Sequence, residues 1–105
     1  MNIAICDDDI QSCKMLHLLL KEHASRKNIS NLSISIFTDG NDLLDDIQDG
    51  ENFDICILDI LMPAVSGIDL GVKLRDSGYN GLIIYLTASK DYALDSYKVK
   101  AFNYI

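Results

Sequence analysis

Residues 53–67 read FDICILDILMPAVSG, and this stretch decides the fold class. Phe53 and residues 55–58 are apolar, and they lead into a single carboxylate, Asp59. An apolar run of this length is typical of a strand buried on both faces, which indicates a parallel sheet covered by helices. Asp59 then lies at the carboxyl end of the strand, where open α/β sheets hold their ligands. By itself, Asp59 could equally cap the turn that follows.

The segment after Asp59 is predicted to be a loop that leads into a helix. Pro63 fixes one φ angle in this loop. Gly67 is expected to supply a permissive φ angle before the helix begins.

The length and charge of the chain restrict its class. Its 105 residues suit one domain with a modest core. It carries 9 basic and 16 acidic residues, a net charge of −7, which argues against direct binding to nucleic acid or to an anionic membrane. No basic segment followed by a long apolar run is present, so we expect a cytoplasmic protein without a signal peptide or transmembrane helix.

The three cysteines, Cys6, Cys13 and Cys56, indicate small buried hydrophobic side chains. Their number is odd, and they form neither a C-x-x-C pair nor a metal-ligand spacing. A reducing compartment fits this usage.

Strands and helices are predicted to alternate along the chain. Strand two alternates apolar and polar residues and is therefore placed at a sheet edge. The first helix is predicted to begin after Asp9 as its N-cap, and His17 and His23 are interpreted as exposed side chains on it. The other predicted strands cover residues 3–6, 55–58, 82–86 and 101–105, strand two covers 32–37, and the later helices cover 41–48, 68–75 and 91–98.

Short right-handed connections favour a doubly wound parallel sheet with strands one, three and four in the middle. The ends of these strands carry Asp7 and Asp8, Asp59, and Thr87. Three converging carboxylates repel one another, and Mg²⁺ would relieve that repulsion because it prefers oxygen ligands. Asp59 could then act as a nucleophile on phosphorus, and Thr87 could hydrogen-bond the phosphoryl oxygens.

The chain resembles the receiver domain of bacterial response regulators over essentially all of residues 1–105. The resemblance rests on ICDDD at the end of strand one, LDILMPAVSG at strand three and YLTAS at strand four. It implies a flavodoxin-like five-stranded sheet with strand order 2-1-3-4-5. The family's site residues then fall on Asp7 and Asp8 for Mg²⁺, Asp59 as phosphoacceptor and metal ligand, Leu61 for a metal-binding backbone carbonyl, Thr87 as the switch hydroxyl and Tyr104 as the switch aromatic.

The resemblance also implies partners and a departure from the family pattern. The phosphoryl donor would be a sensor histidine kinase, and ALDSYKVKAFNYI at residues 93–105 is similar to receivers that precede LytTR-type DNA-binding output domains. The family carries a lysine at the end of strand five that pairs with the phosphoryl group. Here this lysine would fall two residues past Ile105, and the last helix of the fold would follow it. We therefore expect a fragment without that lysine and helix, which would leave apolar surface exposed and favour a homodimer or a domain-swapped oligomer.

Two other classes use related chemistry. A phosphotransferase of the haloacid dehalogenase type needs an acid two residues after its nucleophile, and Asp59 lacks one. Asp7 has an acid at that spacing, but Gln11 occupies the later position where the motif needs Thr or Val. A flavodoxin-like FMN-binding module needs a Ser-, Thr- or Gly-rich loop after strand one. The acids in that loop would instead repel a phosphate unless a metal intervened.

Overall fold

The computed structural model describes residues 1–62, 66–86 and 103–104. The predicted strands and helices within these ranges are confirmed, with small shifts at their ends: β3 ends at Asp59, one residue later than expected, and α2 begins one residue earlier than expected. The predicted helix over 91–98 lies outside the described residues. In chain order the elements are β1 (Asn2–Cys6), α1 (Ile10–Arg26), β2 (Ser33–Phe37), α2 (Gly40–Gln48), β3 (Ile55–Asp59), α3 (Gly67–Asp76), β4 (Leu82–Leu86) and β5 (Asn103–Tyr104).

The five strands form one parallel sheet in the order β2-β1-β3-β4-β5, which confirms the predicted topology and the edge position of β2. The register aligns Cys6 at the end of β1 with Leu58, the residue before Asp59 on β3. Because both strands end at this level, the segments that leave them lie side by side.

Short polar side chains begin the helices. Each accepts a hydrogen bond from a backbone N–H of the first turn, which would otherwise lack a partner. Asp9 is confirmed as the N-cap of α1, and Asp39 and Ser66 do the same for α2 and α3. Two helices end beside glycines with positive φ angles, 101° at Gly50 and 92° at Gly78.

Apolar residues pack on both faces of the sheet. Residues that alternate along the strands point to opposite faces, so Cys6 and Cys56 join Leu43, Leu70 and Leu74 under α2 and α3. On the other face, Ile5 and Ile57 pack against Cys13 of α1. The three cysteines are buried, as predicted.

None of the helices in the described part of the chain combines the length and the apolar character that crossing a membrane requires.

Candidate functional site

Three carboxylates meet at the carboxyl edge of the sheet. Asp7 and Asp8 follow β1, and Asp59 is the last residue of its neighbour β3. One carboxylate oxygen from each of the three lies within 4.8 Å of the others. Asp7 is 9% exposed, Asp59 is half-buried and Asp8 is exposed. The predicted convergence of these acids is therefore confirmed.

Burial and the proximity of like charges raise the pKa values of carboxylates in this site. Burial, and then the neighbouring Asp7 carboxylate, raise the pKa of Asp59 to about 6, while backbone N–H groups of Leu61 and Ile60 oppose the rise. Burial also raises the pKa of Asp7, and Asp8 adds to that effect. Removing carboxylates from water and placing them together both disfavour the charged forms. A bound cation would reverse this effect because it favours the charged forms.

Asp9, the third acid of the run, has a different task. Its Oδ1 accepts a hydrogen bond from the Gln11 backbone N–H at 3.0 Å, and its Oδ2 accepts one from the Ser12 hydroxyl at 2.9 Å. Its own backbone N–H donates to Asp7 Oδ1 at 2.9 Å. Asp9 therefore caps α1 and supports Asp7, and it is not part of the cluster of three carboxylates.

The main chain of Asp7 is fixed from two sides. Its N–H donates to the Phe37 carbonyl at 3.0 Å. Its carbonyl accepts a hydrogen bond from the Cys13 thiol, with the sulfur 3.4 Å away. Burial raises the pKa of Cys13, so the thiol keeps the proton that it donates at neutral pH. The sequence predicted only that Cys13 is buried, because a six-residue separation gives no sign of a contact with Asp7.

The start of the loop after Asp59 is fixed by side chains that point into the core. Ile60 is fully buried, and the Met62 sulfur lies 3.9 Å from the Cys6 sulfur. Leu61 between them is 62% exposed. The role of the Leu61 carbonyl as a metal ligand stays a prediction.

Gly67 is needed for a different reason than the one expected. The glycines with positive φ among the described residues are Gly50 and Gly78, so the prediction of a special φ angle at Gly67 was wrong. Instead, a Cβ at Gly67 would collide with the Asp59 carbonyl oxygen and come within 2.9 Å of the Ile60 Cα. Glycine allows α3 to begin directly against the backbone of Asp59.

Thr87 and Pro63 lie outside the described residues. Tyr104 lies in β5, where it pairs with Tyr85 of β4, and its role as the switch aromatic stays a prediction. His23 is exposed, as expected.

The predicted exposure of His17 was wrong, because its side chain is half-buried. It lines a shallow groove between α1 and β2 with Lys14, Leu18 and Ile36. The helical pattern of α1 alone could not show that this groove includes Ile36 of the edge strand β2.

Comparison with known proteins gives a match to one family over almost the whole chain. The family model described as the response regulator receiver domain matches residues 3–105. The transcriptional regulatory protein YpdB of Escherichia coli strain K12 is 29% identical over 105 residues. That alignment covers 100% of this chain and 41% of YpdB, so the chain spans about two fifths of the length of this relative.

Solved structures show the same fold. The response regulator protein TrrA of Thermotoga maritima, in complex with Mg²⁺-BeF, is 29% identical with a TM-score of 0.80, over 99% of this chain and 84% of that one. The response regulatory domain of MrkE from Klebsiella pneumoniae is 28% identical with a TM-score of 0.82, over 100% of this chain and 81% of that one.

Proposed function

This chain belongs to the response regulator receiver domain family, and we propose that Asp59 accepts a phosphoryl group from a sensor histidine kinase in a Mg²⁺-dependent reaction. The observation that carries the proposal is the meeting of the Asp7, Asp8 and Asp59 carboxylates within 4.8 Å. The family match favours this function over the haloacid dehalogenase-like and flavodoxin-like alternatives.

Asp7, Asp8, Asp59 and the backbone carbonyl of Leu61 would hold the Mg²⁺ ion. These are oxygen donors, the type that Mg²⁺ prefers. The raised pKa values of Asp59 and Asp7 support a cation at this place, because burial and the neighbouring carboxylates both disfavour the charged forms without one. When bound, the ion neutralises charge on the carboxylates and on the phosphoryl oxygens.

In the proposed transfer, an Asp59 carboxylate oxygen attacks the phosphorus of a phosphohistidine. A P–O bond forms while the P–N bond breaks, and the electron pair of that bond leaves with the imidazole nitrogen. The product is an acyl phosphate on Asp59. The protein is thus a phosphoacceptor that assists its own phosphorylation, and we do not propose that it is an enzyme acting on a separate substrate.

Thr87 and Tyr104 would relay the change. The Thr87 hydroxyl would donate a hydrogen bond to the new phosphoryl group, and the Tyr104 side chain would change its orientation in response. Such a local change can shift the equilibrium between two conformations of a surface that a partner binds.

The output controlled by this switch is proposed to be a LytTR-type DNA-binding domain of a cytoplasmic transcription regulator. The relative YpdB, of which this chain covers 41%, is a transcriptional regulatory protein, and this supports the assignment.

Labelling with a radioactive phosphodonor tests the proposal. We expect incubation with ³²P-acetyl phosphate and Mg²⁺ to give one label that is lost in alkali, as an acyl phosphate is. The label should be absent with EDTA and in Asp59→Asn. The matched control is Asp69→Asn, which changes an exposed aspartate in the first turn of α3, and it should label normally. A label that persists in Asp59→Asn, or that is acid-labile and maps to His17 or His23, would contradict the proposal.

A further inference from the structure

The junction between β1 and α1 is closed by a side chain from the first turns of the helix. The Cys13 thiol reaches back six residues and donates a hydrogen bond to the Asp7 carbonyl, with the sulfur 3.4 Å from the oxygen. Cys13 is 0% exposed, so water does not compete for this contact. The thiol therefore joins α1 to the residue that begins the acidic cluster.

This contact acts on a residue that electrostatic repulsion would displace. The Asp7 carboxylate lies beside those of Asp8 and Asp59, and in the absence of a cation the three tend to move apart. Besides the thiol, the Phe37 carbonyl and the Asp9 N–H hold Asp7. Of these three contacts, only the one from Cys13 is made by a side chain of the partner residue, so it can be removed without altering the main chain.

We propose that Cys13 is a positioning residue for the metal site, where its thiol holds the Asp7 carbonyl and thereby keeps the Asp7 carboxylate facing Asp8 and Asp59. The inference rests on the proposed function, since it takes these carboxylates as the Mg²⁺ ligands. A site whose ligands are already in place binds more tightly, because binding need not first bring repelling groups together.

The expected effect on affinity is small but measurable. Removing a hydrogen bond to a ligating side chain lowers metal affinity about 10- to 100-fold. Here the bond is made to the main chain of the ligand residue, and a thiol is a weak donor. We therefore expect Mg²⁺ affinity to fall about two- to five-fold when the donor is lost, the range that corresponds to the strength of such weak hydrogen bonds.

Two pairs of variants separate the donor from the volume of the side chain. Cys13→Ser and Cys13→Ala are smaller than cysteine, and Cys13→Thr and Cys13→Val are larger, while only the first member of each pair can donate. Mg²⁺ dissociation constants come from chemical-shift titrations of backbone amides near Asp8, and stability comes from urea unfolding. We expect the serine and threonine variants to bind Mg²⁺ more tightly than their partners, although both members of a pair lose stability.

Cys56→Ala is the matched control, because Cys56 is also 0% exposed but lies near the amino end of β3, away from the acidic cluster at its carboxyl end. It should lose stability and keep the Mg²⁺ affinity of the native protein. Equal affinities within both pairs, or an equal loss in Cys56→Ala, would overturn the role of Cys13. If one pair fails to fold, the other decides. Mg²⁺ binding that is unchanged in Asp8→Ala would instead show that the metal site itself is wrong, and the inference would fall with it.

Discussion

The two ends of the parallel sheet are held in opposite ways. At the amino end, polar groups meet partners that complement them. The buried Tyr79 hydroxyl donates to the Phe53 carbonyl at 2.8 Å. The Arg75 guanidinium donates to the carbonyls of Tyr79 and Gly81 at 2.9 and 2.7 Å and lies over the Tyr79 ring. These contacts connect the loops before β3 and β4 and stabilise the fold.

At the carboxyl end, groups of the same charge lie together. Burial, and then neighbouring carboxylates, raise the pKa values of Asp59 and Asp7. Folding must bring these carboxylates together, so they reduce the stability of the metal-free protein. One end of the sheet therefore contributes stability, while the other lowers the stability of the metal-free protein, as expected for the proposed site for a cation and a phosphoryl group.

The largest loss of stability is expected when alanine replaces either of two closely packed glycines, one at each end of the sheet. A Cβ at Gly67 would collide with the Asp59 backbone, and one at Gly81 would collide with the Tyr79 hydroxyl. We expect Gly67→Ala and Gly81→Ala each to lower the free energy of unfolding by about 3 kcal/mol. The gain in helix propensity at Gly67, at most about 1 kcal/mol, is too small to compensate.

Only Gly67→Ala should affect the site, because it alone displaces Asp59. We expect its Mg²⁺ affinity to fall about tenfold or more, a loss of about 1.4 kcal/mol of binding free energy. Gly81→Ala should bind Mg²⁺ as the native protein does. Urea unfolding measures the stability of the two variants, and titration measures their Mg²⁺ affinity. An equal change of affinity in both variants would contradict the difference expected between the two ends of the sheet.

Removal of the Tyr79 hydroxyl tests the amino end alone. We expect Tyr79→Phe to lower the free energy of unfolding by about 2 kcal/mol, because the Phe53 carbonyl loses its buried donor. The same change removes the nearest of three atoms that a Cβ at residue 81 would meet, while the ring Cζ of residue 79 and the Phe53 carbonyl oxygen remain. Gly81→Ala should therefore stay destabilising in the Tyr79→Phe background, at a somewhat smaller cost. A double-mutant cycle in urea measures this coupling, and strictly additive losses would contradict the predicted collision.

The pH dependence of stability tests the carboxyl end. Folding raises the pKa of Asp59 from 3.8 to about 6, so the folded state holds this proton more tightly than the unfolded state does. The stability contributed by the protonated group is fully present below the unfolded pKa of 3.8 and is lost as the pH rises through about 6. A shift of this size corresponds to about 3 kcal/mol, which we reduce to about 1–2 kcal/mol because solvent screens this half-buried group.

Near neutral pH and in EDTA, Asp59→Asn should therefore be more stable than the native protein by about 1–2 kcal/mol. Its stability should also depend less on pH, although the raised pKa of Asp7 leaves a smaller slope. Urea unfolding across this pH range checks both, with the exposed Asp69→Asn as the control. A native protein whose metal-free stability rises through pH 6 would contradict the assignment to Asp59.

The smallest change of stability is expected from substitutions of Asp8 and Asp9, which are adjacent in the sequence but have different predicted roles. Asp9→Ala should cost about 1 kcal/mol of stability, because α1 loses its N-cap, and should leave most of the Mg²⁺ affinity. Asp8→Ala should keep or slightly raise the stability of the metal-free protein and abolish stabilisation by Mg²⁺. Thermal unfolding with Mg²⁺ and with EDTA compares the two, and the same response in both variants would remove the distinction between cap and ligand.

Much of the fold could be predicted from local patterns. The apolar runs before Asp7 and Asp59 identified central strands, the alternation in β2 identified an edge, and Asp9 and Gly50 marked a helix start and a helix end. These signals are local because strand burial and helix capping depend on neighbours in the chain. The meeting of Asp7, Asp8 and Asp59 also followed, since parallel strands that adjoin end at the same edge.

Only the tertiary structure decided what each side chain at that edge does. The sequence shows three adjacent aspartates, and packing assigns Asp9 to the helix cap while Asp7 and Asp8 face Asp59. Packing also places the buried Cys13 thiol where it donates a hydrogen bond to the Asp7 carbonyl. Glycine is needed at position 67 because the Asp59 backbone lies too close for a Cβ, and not because of a special φ angle. These contacts depend on distances of a few ångströms between separate elements, and such distances are set by how helices pack on the sheet, which no local pattern of residues encodes.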